Sequence, residues 1–110
     1  MLGYFVQAHG TATIYVEEYL PRGLLLGTLA HELAHAWQTE QMLHLKDARV
    51  REGFAEWVAY RVLVARGLTA LAERATRRDD VYGRGLRHFL NIENRFGFAG
   101  VIQHAKGLPV

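Results

Sequence analysis

At 110 residues the chain has room for one domain and not for two. Half of its residues are hydrophobic and 22% are charged, an ordinary globular balance. The absence of cysteine excludes disulfides, a thiolate metal site and a cysteine nucleophile, and fits a reducing compartment.

Residues 4–8 and 11–19 read as two strands around a His9-Gly10 turn, with Thr13, Ile14, Tyr15 and Val16 as good strand formers. Leu20-Pro21-Arg22-Gly23 breaks the second strand. Apolar residues at 25, 26, 29, 33, 36 and 37 recur at helical spacing and predict a first helix over 24–43. A short connection at Lys46-Asp47 leads to a second helix over 48–66, stopped by Gly67. Phe54, Trp57, Val58, Val62 and Leu63 can supply its core face. Thr69 suits the cap of a third helix reaching Arg77, and Asp79 or Asp80 the cap of a fourth reaching Phe96. Gly97 ends that helix, and a short last one covers 98–105 before Gly107-Leu108-Pro109. The order carries no repeat and no low-complexity tract. The apolar run at 23–36 is broken by Thr28, His31 and Glu32 and is too short to span a bilayer. A soluble, cytoplasmic chain with no membrane partner is the expectation.

The chemistry gathers on the first predicted helix, at His31-Glu32-Leu33-Ala34-His35. Residues four apart on a helix stand one above the other, so both imidazoles can reach one metal ion. Glu32, a fraction of a turn aside, is placed to touch the water that such an ion activates. This H-E-x-x-H pattern is that of zinc peptidases. Catalytic zinc takes three protein ligands as a rule, so a third is needed from a neighbouring element. Glu52 and Glu56 on the second predicted helix are also four apart and face one way. We read Glu52 as the ligand, because Gly53 beside it allows close helix packing, and Glu56 as the hydrogen-bond partner of a ligand histidine's free N–H. The swapped assignment makes Glu56 the ligand. Glu32 is then the base that takes a proton from water and returns it to the leaving nitrogen. Tyr82, His88 and His104 are the candidate donors to the oxyanion. An extended substrate could add to an edge of the N-terminal hairpin.

The arginines at 74, 77, 78, 84 and 87 raise the question of nucleic acid, but Glu73, Asp79 and Asp80 interrupt them and no aromatic stacking pattern accompanies them. A solvated helix end is the plainer reading, and no nucleic-acid partner is expected.

His31-Glu32-Leu33-Ala34-His35-Ala36-Trp37 followed by Glu52-Gly53-Phe54-Ala55 resembles the gluzincin peptidases, with a shorter spacing of sixteen residues between His35 and Glu52. A resemblance covering more of the chain is to the peptidase domain of the plant LIM-domain, ubiquitin-activated peptidases, the DA-one family. It rests on Leu20-Pro21-Arg22-Gly23, the zinc motif, Glu52-Gly53, Val81-Tyr82-Gly83-Arg84-Gly85-Leu86-Arg87, Arg95-Phe96-Gly97, His104 and Leu108-Pro109. The resemblance implies an endopeptidase acting on proteins, with His31, His35 and Glu52 as zinc ligands and Glu32 as base. It also implies Tyr82 and His104, ahead of His88, at the reacting group, and ubiquitin-linked regulation by analogy. A chain without cysteine has no LIM domain, and Arg51-Glu52-Gly53 stands where that family often has Glu-Glu-Gly.

The expectation is therefore one α+β, mainly α domain over 1–110, a minimal gluzincin-like core with a small N-terminal β-hairpin and a zinc site between two helices. It hydrolyses protein or peptide substrates. The rival from another class is a catalytically silent zinc-bound protein-interaction module.

Overall fold

The computed structural model describes residues 3–16, 21–43 and 45–108. Strands β1 (Gly3–Ala8) and β2 (Thr11–Val16) form an antiparallel hairpin, with Tyr4 opposite Tyr15 and Phe5 opposite Ile14. His9 and Gly10 both adopt positive φ, 51° and 76°, which the tight two-residue turn requires. The last three residues of the predicted second strand, 17–19, lie outside the described residues.

Four helices follow: α1 (Arg22–Glu40), α2 (Ala48–Ala65), α3 (Thr69–Thr76) and α4 (Val81–Ala105). The fold is mainly α with one small hairpin, as the sequence pattern predicts. Asp47 caps α2 by accepting the Arg49 N–H at 2.9 Å, and Asp80 caps α4 by accepting the Gly83 N–H at 3.0 Å. The expected cap at Thr69 is corrected: Leu68 holds the cap position without a side-chain bond, and Thr69 already belongs to the first turn of α3. The two helices expected on either side of Gly97 are arms of one kinked element. Gly97 takes φ 73°, a left-handed conformation that bends α4 there.

Helix α2 lies at the centre, with α1 on one side and α4 on the other. Between α2 and α4 sits the apolar core, in which Phe54 and Trp57 meet Leu86, Phe89, Ile92 and Val101. The Phe54 and Phe89 rings are 6.0 Å apart, edge to face. Gly53 and Gly85 let the two backbones touch: a Cβ on Gly53 would stand 2.7 Å from the Gly85 carbonyl oxygen. Against α1 the packing differs. The leucines whose spacing marks this helix, Leu25, Leu29 and Leu33, are 37%, 38% and 52% exposed. Its buried positions are Ala30, His31, Glu32, Ala34 and Gln38. Two alanines keep this seam thin, and His31 and Gln38 reach polar partners on α2. The hairpin rests on α1. No helix among the described residues is long and apolar enough to cross a membrane.

Candidate metal centre

Three donor atoms converge in the seam between α1 and α2. His35 Nε2 lies 3.1 Å from His31 Nε2 and 2.9 Å from Glu52 Oε1, and His31 Nε2 lies 3.1 Å from the same oxygen. Zinc bonds to nitrogen and carboxylate oxygen at about 2.0–2.2 Å. Donors in a tetrahedral shell of that radius stand roughly 3.3 Å apart by geometry, so the triangle has nearly the size such an ion needs. Among the described residues this is the one group of three such side chains able to hold a metal ion.

Each donor is held from behind. His35 Nδ1 donates to Gln38 Oε1 at 2.8 Å, and the Gln38 amide nitrogen donates to the Arg51 carbonyl at 3.0 Å. The second bond fixes the amide orientation, the first puts the proton of a neutral His35 on Nδ1, and the Nε2 lone pair is left for the site. Arg51 Nε donates to Glu52 Oε2 at 3.3 Å, so the other oxygen, Oε1, faces the histidines. Arg51 is itself anchored through the Leu45 carbonyl at 3.0 Å. On the far side of His31, Glu56 Oε1 lies 2.7 Å from Nδ1. That oxygen stands off the hydrogen-bonding direction, and Nδ1 has no well-aligned acceptor, so the contact is an ion pair rather than a linear bond. Glu52 thus meets both Nε2 atoms, and Glu56 meets the outer nitrogen of one ring.

The electrostatics favour positive charge here. Burial works to lower the His31 pKa, but the bond to Glu52 and the close carboxylates of Glu52 and Glu56 outweigh it and raise the value to about 9. Burial works to raise that of Glu52, and the bonds to His31 and His35 overcome it, holding the carboxyl far below its usual range. Two imidazoles and a carboxylate backed by a second carboxylate are a donor set that fits a divalent cation of intermediate softness.

Glu32 is 7% exposed and borders two cavities. The larger, about 520 Å³, reaches His31, Glu56 and Tyr82; the smaller, about 300 Å³, reaches His35, Glu52 and Gln38. Strand β1 contributes to both, Gly3 to the first and Phe5 to the second. The Tyr82 ring is 5.9 Å from that of His31, and the Arg78 guanidinium lies over the Tyr82 ring at 5.0 Å. Burial, followed by the Glu52 charge, raises the Tyr82 pKa, so the phenol keeps its proton.

The structure places His104 elsewhere. Its Nε2 lies 2.9 Å from His88 Nε2, its ring packs on Phe89 at 5.3 Å, and neither histidine borders either cavity. Here the two arms of α4 meet across the kink. Sequence reasoning overlooked Gln38 and Arg51. A signal for Gln38 was present: it lies seven residues from His31 and three from His35, on the same helical face. Arg51 had no comparable cue.

With the geometry established, residues 1–99 match the IrrE N-terminal-like domain, a zinc-metallopeptidase-like family. No curated protein and no solved structure matches the chain.

Proposed function

From the premise that the chain belongs to the IrrE N-terminal-like domain family, we propose that it is a zinc-dependent peptidase, an endopeptidase that hydrolyses protein substrates. The observation that carries this reading is the convergence of His31 Nε2, His35 Nε2 and Glu52 Oε1 beside the buried Glu32. The likeness to the plant LIM-domain peptidases supports the endopeptidase part. Ubiquitin-linked regulation is carried by that likeness alone.

His31, His35 and Glu52 would hold zinc, which when bound supplies Lewis acidity that brings water towards neutral pKa and polarises a carbonyl. Gln38 and Glu56 orient the two rings, and Arg51 orients the carboxylate. Glu32 takes the proton of the attacking water and delivers it to the leaving nitrogen, a step its place between the two cavities suits. Tyr82, kept protonated, donates its O–H to the oxyanion that develops on the carbonyl carbon's oxygen. His104, paired with His88 away from the cavities, has no part in this step. The substrate lies extended along β1, whose Gly3 and Phe5 flank Glu32 on the two sides.

The test is cleavage of a panel of unfolded proteins by the zinc-loaded protein and by Glu32→Gln. The variant should keep its zinc and lose about a hundredfold to ten-thousandfold in rate. Equal rates would remove Glu32 as the base. No cleavage by either protein, with zinc bound in both, would favour the interaction module.

A further inference from the structure

The larger cavity carries more than the catalytic groups. Apart from these, its walls are largely apolar, with Leu24, Leu63 and Leu71 alongside the small residues Gly27 and Ala59. Its volume of about 520 Å³ is in the range of pockets that enclose a ligand. Two guanidinium groups border it, and they differ. Arg78 is committed: it donates twice to Asp80 Oδ2, at 3.1 and 2.8 Å, and lies over Tyr82. The Arg74 side chain has no ion pair and no hydrogen bond among the described residues. The neighbouring Arg77 takes the Glu73 carboxylate, at 3.7 Å, and leaves Arg74 without that partner.

We propose that this cavity is a specificity pocket that receives a bulky apolar side chain beside the scissile bond, with Arg74 at its rim receiving a nearby carboxylate of the same peptide. The inference rests on the hydrolytic reading of the site and adds the class of substrate. The apolar walls at Leu24, Leu63 and Leu71 gain by covering an aliphatic or aromatic side chain and give a charged one no partner along that stretch. Arg74 can form a two-point bond to a carboxylate without breaking any existing contact. On the endopeptidase reading that carboxylate comes from an acidic side chain; a chain end presents the same group to Arg74 and would make the protein a carboxypeptidase instead.

The experiment measures the binding of fluorescent peptides to zinc-loaded Glu32→Gln, which holds substrate without consuming it. One series places Leu, Phe, Ala or Lys at a fixed position, a second exchanges a neighbouring Glu for Gln, and a third compares free with amidated C-termini. Leu and Phe should bind roughly tenfold to a hundredfold more tightly than Ala. A carboxylate should add up to about fivefold, the scale of an ion pair at an exposed rim. Adding Arg74→Gln should erase the carboxylate effect and keep the apolar one. Adding Gly27→Leu should erase the apolar preference, since a Cβ there meets Leu63 at an ordinary 3.6 Å and the longer side chain fills the cavity. An effect of Glu against Gln assigns the carboxylate to a side chain, and of free acid against amide to the chain end. Equal binding of Leu and Ala peptides overturns the pocket, and a carboxylate effect that survives Arg74→Gln overturns the role of Arg74. If the peptides bind with these preferences and the wild type cuts none of them, the hydrolytic reading fails and the pocket stands.

Discussion

The two seams of α2 are built by opposite rules. Towards α4 the seam is apolar and tight, with Phe54, Trp57, Leu86 and Phe89 interlocked and Gly53 against Gly85. Towards α1 it is thin and polar, with His31, Glu32 and Gln38 buried beside Ala30 and Ala34. The first needs only the hydrophobic effect and close packing. The second buries charged and polar groups, which are costly unless each finds a partner. One helix joins them: Phe54 and Trp57 fix where α2 lies, and so fix where Glu52 and Glu56 meet the histidines. The apolar seam positions the site, and the polar seam spends part of that stability on chemistry.

Breaking each seam separately should give different results. Phe89→Ala removes a fully buried ring from the apolar seam and should cost about 3–5 kcal/mol of stability. The check is thermal or denaturant unfolding, with zinc stoichiometry of the remaining folded protein unchanged. A loss of zinc with unaltered stability would reverse the roles given to the seams.

Glu52→Ala should act the other way, with little change in fold and a fall in zinc affinity of more than about a hundredfold. That exceeds the tenfold to hundredfold expected when an outer partner is removed, as in Gln38→Ala or Glu56→Ala. Competition with a chelator measures all three. A larger loss for Glu56→Ala than for Glu52→Ala would exchange the two glutamates.

The smallest effect sharpens the comparison at the entry to α4. Asp80→Ala should cost roughly 0.5–2 kcal/mol as a lost helix cap, with zinc affinity unchanged. The Gly83 N–H lowers the Asp80 pKa from its ordinary 3.8, burial opposes this, and Arg78 adds to the lowering. The carboxylate's contribution is thus complete above pH 3.8 and fades as pH falls through the lower folded value. Asp80→Asn keeps an acceptor and should lose this acid dependence. Unfolding curves between neutral and acidic pH decide it.

The difference between the seams also explains what was legible in the sequence. The helices, the hairpin and the H-E-x-x-H face follow from local spacing, and Glu52 with Glu56 follows from the same period on the next helix. Phe54 and Trp57 announce an apolar face, and Gly53 announces a close approach, though its neighbour is α4. The inward face of α1 was hidden, because its leucines advertise a stripe that the fold leaves largely exposed, while alanines and the motif residues His31 and Glu32 turn inward. Arg51 and the Tyr82 environment depend on contacts between elements that no local pattern encodes. His104 was one of three candidate donors on the C-terminal helices, raised above His88 by the resemblance, and no local pattern foretold that the bend at Gly97 brings it against His88.

The most direct test of the central claim is zinc-edge anomalous scattering from crystals of the zinc-saturated protein. The account predicts one strong peak within bonding distance of His31 Nε2, His35 Nε2 and Glu52 Oε1, with Glu56 on the outer face of His31. A peak bonded to Glu56 in place of Glu52, or none at these three atoms, would contradict it.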